Sequence, residues 1–230
     1  MKRFRISLIL LFSLWVNSSS ADKHPEFGLK VGYNLSQHYG TKAGAENYEV
    51  DTHFRHAAGG GLFIYSPITE AFGIQQELLY VMKGSREDII IKDQPIQVKV
   101  EYDMDYIEIP VLFKFQEHKF RKFTLYGFSG FALSIMVKAH YDLVGTVEFN
   151  EGGHITIMPI SASNNMPDTD IFDYAFLYGG GIDFRIRDLD LFFEHRFTIG
   201  WNPLLLPTFE NEDPVPLRNQ SYLFMLGIKL

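Results

Sequence analysis

Phe27-Gly28-Leu29-Lys30-Val31-Gly32-Tyr33-Asn34-Leu35-Ser36 is the stretch that decides the fold class. Phe27, Leu29, Val31, Tyr33 and Leu35 share one parity, and Gly28, Lys30, Gly32, Asn34 and Ser36 share the other. A strand sends successive side chains to opposite faces, so this segment has an apolar face and a small or polar one. On a helix the same apolar residues would spread around the whole cylinder.

The pattern recurs outward from this segment to the end of the chain. It predicts strands at 27–36, 52–65, 72–83, 97–115, 122–142, 171–186, 191–202 and 220–230. In the fifth, Phe123, Leu125, Phe131, Leu133, Ile135, Val137 and Tyr141 oppose Thr124, Ser134, Lys138, His140 and Asp142, which would put the last three in the interior. The fourth changes phase: Val98, Val100, Tyr102 and Met104 follow one parity, while Ile107, Ile109, Val111, Phe113 and Phe115 follow the other. One extra residue near Asp105-Tyr106, a β-bulge, would produce that change. Ala57–Gly61 carries too little signal to set the register of the second strand.

Long connections (37–51, 84–96, 143–170, 203–219) alternate with short ones (66–71, 116–121, 187–190). Outer-membrane barrels have this asymmetry, with long loops outside and short turns in the periplasm. Aromatics collect at both predicted ends of the strands: Phe27, Phe72, Phe115, Phe123 and Phe184 at one, Tyr33, Tyr80, Tyr102, Tyr141, Tyr174, Trp201 and Tyr222 at the other. Two such girdles belong at the two membrane interfaces. The expectation is an all-β fold, an eight-stranded antiparallel up-and-down transmembrane β-barrel.

Composition is compatible with that expectation and excludes several others. The chain has 230 residues, net charge −7, 46% hydrophobic and 15% aromatic residues, and no cysteine. Disulfide scaffolds, thiolate metal sites and iron–sulfur clusters are therefore out. An acidic chain is ill suited to non-specific nucleic-acid binding, so no nucleic-acid partner is expected. Mean hydropathy is close to zero, as two opposed strand faces produce when averaged.

Met1–Ala21 reads as a secretory signal. Lys2, Arg3 and Arg5 precede the apolar run Ile6–Val16, and the small residues Ser18–Ala21 follow, with Ser19 and Ala21 at the −3 and −1 cleavage positions. The apolar run is shorter than the ~20 residues of a helical span. Residues 22–230 would then form the barrel domain.

The interior parity is rich in charge: Lys30, Glu77, Lys83, Glu108, Lys114, Lys138, Asp173, Asp183, Arg185, Glu194, Arg196 and Lys229. Eight strands enclose little more than side chains. Mixed signs in so narrow a space predict a salt-bridged plug. Gly59–Gly61 and Gly179–Gly181 lack the following helix and Lys-Ser/Thr of a phosphate loop, so they read as sites of bending or close backbone approach. Pro110 must lie at a bulge or leave a ladder bond unmade. Gln76 and His195 fall on the lipid parity.

A lipid-modifying hydrolase would need a nucleophile beside a histidine. His140 and Asp142 share a face, but the sequence places no serine with them. His53/His56, Asp168/Asp170 and Glu210/Glu212/Asp213 have no defined ligand spacing and read as solvated loop polarity. No catalytic, cofactor-binding or metal residue is therefore expected.

With the strands in place, the chain resembles the PorT-like outer-membrane β-barrel family of Bacteroidetes-type bacteria. The resemblance rests on Phe27–Asn34, Gln76-Glu77-Leu78-Leu79-Tyr80 with Lys83-Gly84, Tyr106–Lys114, Gly179–Gly181 and the closing Leu226-Gly227-Ile228-Lys229-Leu230. It implies a small outer-membrane barrel in a Gram-negative envelope. Leu230 stands where the pattern usually ends in an aromatic. The namesake's part in secretion is not carried by these strand motifs.

The function expected is that of a non-enzymatic surface barrel, structural or ligand-binding through its outer loops. A narrow channel or secretion accessory, and a lipid-modifying enzyme, are the alternatives. Expected partners are outer-membrane lipid, lipopolysaccharide and, during biogenesis, the barrel-assembly machinery. The sequence identifies no specific ligand.

Overall fold

In the computed structural model, residues 24–40, 48–91, 96–120, 122–151, 154–165, 171–205 and 216–230 are described. The signal Met1–Ala21 and the loop acids Asp168, Asp170, Glu210, Glu212 and Asp213 lie outside them. The described residues form one antiparallel sheet of strands β1 (Glu26–Tyr39), β2 (Tyr48–Pro67), β3 (Phe72–Ile91), β4 (Ile96–Lys119), β5 (Phe123–Glu151), β6 (His154–Asn165), β7 (Phe172–Ile186), β8 (Leu189–Gly200), β9 (Leu204–Leu205) and β10 (Pro216–Lys229). The ladder runs β1-β2-β3-β4-β5-β7-β8-β10, and β10 pairs back onto β1 from Gly28↔Lys229 to Tyr39↔Arg218. Among the described residues β6 pairs only with β5, and β9 only with β10. The sheet closes on itself as an up-and-down barrel.

The strand faces are inverted relative to a water-soluble protein. Along β1, Lys30 is 1% exposed and Val31 is 69% exposed. Leu29, Leu62, Leu78, Val111, Phe131 and Leu226 likewise stand on the outer wall, while Glu77, Lys83, Glu108, Lys114, Glu194 and Arg196 are buried. Gln76 and His195 do lie on the outer parity. His195 is covered there by Tyr222 and Phe224, at ring-centroid distances of 6.3 and 4.7 Å.

The phase change in β4 has a different cause from the one expected. Parity is constant along the strand: Val98, Val100, Tyr102, Met104, Tyr106, Glu108, Leu112 and Lys114 are all buried. What changes is the polarity of the two sides. Above Asp105 the interior is apolar and the outer wall carries Lys99, Glu101 and Asp103; below it the wall carries Ile107, Val111, Phe113 and Phe115. The apolar stretch Ile107–Phe115 is about nine residues, the length at which a tilted strand crosses a bilayer core. The chemistry of the surroundings flips, and the strand does not.

A register shift does sit at Asp105/Tyr106, but the extra residue belongs to β5. Asp105 pairs with Lys138 and Tyr106 with Met136, so Val137 is unpaired. This bulge reverses the parity of the outer half of β5. Ala139, Tyr141 and Leu143 turn inward against a core of Ile89, Val98, Val100, Tyr102, Met104, Tyr106 and Leu217. Lys138, His140 and Asp142, expected in the lumen, therefore face outward, and Tyr141 faces inward. Arg185 is also displaced from the expected interior set: it lies at the tight β7–β8 turn, exposed, with Nε and Nη2 donating to the two carboxylate oxygens of Asp190.

The expected long loops are in large part strand. β3 and β4 continue to Ile91 and Ile96, and segment 143–170 contains the end of β5 and all of β6. The short turns, with Arg187 at φ 55°, gather at the opposite end. Pro110 leaves its mark in the β3–β4 ladder, which is interrupted between Gln76↔Val111 and Leu79↔Glu108 and resumes without a shift.

Because the chain lacks cysteine, the bulge can be tested by single substitutions. Val144→Cys should react with a membrane-impermeant maleimide on intact cells, and Leu143→Cys should stay protected until the protein is heat-denatured. The reverse pattern would mean that parity continues through Val137.

Candidate functional site

Glu77 occupies the centre of the lumen. Its carboxylate accepts hydrogen bonds from Lys30 Nζ (2.6 Å), Gln75 Nε2 (2.6 Å) and Arg196 Nη2 (2.9 Å). Glu194 Oε1 accepts from Lys30 (3.2 Å) and Arg196 (2.7 Å). Two carboxylates and two cations, supplied by β1, β3 and β8, thus close a ring of ion pairs across the interior. All four side chains are at most 1% exposed. The charges neutralise one another, which is the condition for burying them.

Further tiers fill the lumen above and below. Towards the outer end Lys83 pairs with Glu108, which also accepts from Ser134 Oγ at 3.2 Å. Asn219 Nδ2 donates to Tyr106 Oη (3.0 Å) and to Asp173 (3.2 Å). Towards the short turns Lys229 bridges Asp183 (2.9 Å) and Glu26 (3.1 Å). Of the interior charges expected from the sequence, all except Lys138 and Arg185 lie in this stack.

Aromatic rings insulate the cations, and interior glycines make room for the rings. Lys114 Nζ stands 3.5 Å from the Tyr126 ring centroid and 5.3 Å from that of Tyr65; Arg196 lies 5.5 Å from the Phe128 ring. A Cβ on Gly181 would come within 2.4 Å of the Tyr126 ring, and one on Gly179 within 2.7 Å of Phe128. The Gly179–Gly181 run is therefore a place of close approach, as its sequence suggested, with aromatic side chains as the approaching groups. The sequence did not show which rings would lie against it.

The outer end carries a second polar set, on the outside of the wall. Arg86 pairs with Glu101 (3.0 Å), Arg55 with Asp103 (2.6 Å) and Lys99 with Asp88 (3.6 Å). Beside them β6 brings Ser163 to His140: Ser163 Oγ is 3.0 Å from His140 Nε2. The sequence missed this serine because segment 143–170 offered no strand pattern with which to register it. The Ser163 hydroxyl and the neighbouring His140 hold the Asp142 carboxyl below its usual range.

His53 and His56 do not converge. His53 approaches Asp88 at 3.8 Å, and His56 Nδ1 meets the Tyr33 hydroxyl. Among the described residues no group of three His, Asp or Glu side chains is placed to hold a metal ion.

Glu77→Ala would leave the Arg196 and Lys30 charges short of a partner in the lumen. Removing one member of such a buried set costs about 3–5 kcal/mol. The folded band should therefore be lost at lower urea concentration than in the wild type, and Val31→Ala on the outer wall should shift it much less.

The overall likeness is to outer-membrane barrels. OprG of Pseudomonas aeruginosa superposes with a TM-score of 0.50 at 12% identity, over 90% of this chain and 97% of that one. Ail of Yersinia pestis gives 0.40 at 12% identity, over 90% and 100% of the two chains. Neisserial surface protein A gives 0.41 at 8%, over the same shares. No match to a curated protein sequence was found. Residues 17–206 match the family described as the outer membrane protein beta-barrel domain, and the chain belongs to that family.

Proposed function

We propose that this protein is an eight-stranded barrel of the bacterial outer membrane whose lumen is a structural plug and whose function resides at its outer end. The observation that carries this reading is the ion-pair ring of Lys30, Glu77, Glu194 and Arg196, closed on both sides by further paired charges and rings. A path for ions would need hydrated, mobile charge along the axis. Here the cations are fixed by short hydrogen bonds to carboxylates on other strands.

Strand lengths support an active outer end. β4 and β5 extend beyond the apolar band, and their inner faces share an apolar core with Ile89 of β3 and Leu217 of β10. That core gives the outer part a firm wall on which to present polar side chains to lipid headgroups, lipopolysaccharide or a ligand. Export by the Met1–Ala21 signal and insertion by the barrel-assembly machinery belong to the same reading. Within the family, the Tyr106–Lys114 and Leu226–Leu230 motifs favour the PorT-like, Bacteroidetes-type branch.

In a planar bilayer the purified protein should show no sustained conductance. Steady openings of nanosiemens order would replace the plug with a channel.

A further inference from the structure

The Val137 bulge and the β5–β6 register place four polar side chains on one outward face. His140 pairs with Asn165 and Asp142 with Ser163, while the alternate residues Ala139, Tyr141, Leu143 and Ile160 pack inward. Ser163 Oγ lies 3.0 Å from His140 Nε2, and His140 Nδ1 lies 3.3 Å from Asn165 Oδ1. With the proton on Nδ1 donated to the Asn165 carbonyl oxygen, Nε2 is left as an acceptor for the serine proton. A hydroxyl, a base and a group that orients the base stand in the order that nucleophilic acyl transfer requires. Asp142 Oδ1, 3.4 Å from the same Nε2, adds negative charge beside an imidazolium.

The position of this set indicates its substrate. Val137 is the outermost apolar residue on this face of β5 before Lys138, and it is half exposed. His140 follows three residues later. At ~3.3 Å per residue and a strand tilt of about 40°, it stands roughly 8 Å above that boundary. The headgroup layer on each side of the hydrocarbon is about 5–8 Å deep. The set therefore faces the layer that holds the acyl esters of membrane lipids. Lys138, exposed on the same face and on its membrane side, supplies positive charge next to that layer.

We propose that Ser163 and His140 hydrolyse acyl esters of outer-leaflet lipids, with Asn165 as the positioning residue. Ser163 Oγ bonds to the acyl carbonyl carbon as its proton passes to His140 Nε2. The ester C–O bond then breaks, and the leaving alkoxide takes that proton from His140. Water attacks the acyl-serine, gives a proton to His140, and releases the fatty acid as the proton returns to Ser163. The cycle consumes one water and needs no cofactor. It rests on the membrane placement argued above. Conductance tests the plug and ester cleavage tests this site, so the two can fail separately.

The test uses the full chain, purified folded and reconstituted separately into phospholipid vesicles and into vesicles containing lipopolysaccharide. A fluorophosphonate probe should label the wild type and leave Ser163→Ala unlabelled. Release of free fatty acid should fall by roughly 10³-fold or more in Ser163→Ala and in His140→Ala, the scale on which loss of such a group acts. Asn165→Ala should lower the rate and Asn165→Asp should restore it, which a merely structural role would not produce. Ser161→Ala, one residue pair further out on the same face, should match the wild type. Heat-modifiable gel mobility verifies that each variant is folded. Release from only one vesicle type assigns the ester to glycerophospholipid or to lipopolysaccharide. A folded wild type that is unlabelled and releases no fatty acid from either vesicle overturns the proposal, as does labelling that persists in Ser163→Ala.

Discussion

Hydrocarbon offers no partner to a backbone N–H or C=O, and this constraint governs the rest of the molecule. A sheet in lipid must satisfy every ladder position from within, so its first strand has to find its last. The β1–β10 pairing meets that requirement over twelve residue pairs. Closure creates a narrow interior, and the narrow interior dictates what can fill it. The wall already takes the apolar residues, so the polar parity must be packed inside and its charges made to cancel.

The lumen meets that demand with a repeated unit of glycine, ring and cation. A glycine on one strand lets an aromatic ring from its neighbour lie close to the backbone, and the ring's face receives a lysine or arginine. Gly181, Tyr126 and Lys114 form one such unit; Gly179, Phe128 and Arg196 form another. The carboxylates Glu77, Glu194 and Asp183 complete the neutralisation. Stability here comes from fitted charge packed among small buried apolar clusters, such as Leu79, Val81, Leu223 and Met225, while the larger apolar surface stands on the outer wall.

Parity alone revealed the strands, their lipid and lumen faces and most of the plug. In β1, and in β7 as far as Phe184, where the outer wall stays apolar, the reading transfers residue by residue. It failed where the surroundings change. In β4 a switch in polarity looked like an inserted residue, because both reverse the apolar phase of a strand. In β5 a real insertion at Val137 went unnoticed, because Ile135, Val137 and Tyr141 keep the same parity in sequence. The β6 strand was read as loop because segment 143–170 shows no clean alternation: Ile157 and Met158 are both exposed, and Ser161, Ser163 and Asn165 add only polar side chains to the outward face. Those two errors together separated Ser163 from His140.

The position of Leu217 has a consequence for the order of assembly. This residue, near the start of β10, packs in the outer core with Ile89 and the β4 side chains. The core therefore lacks a member until the last strand arrives, at the same time as the ladder closes. Contacts between segments so far apart in sequence form slowly. Until then the inner apolar faces of β3, β4 and β5 stand open outside the bilayer, beyond the reach of lipid. The interval before closure is thus the period in which the growing sheet is most open to wrong partners, and a catalyst that shortens it acts on both ends of the fold at once.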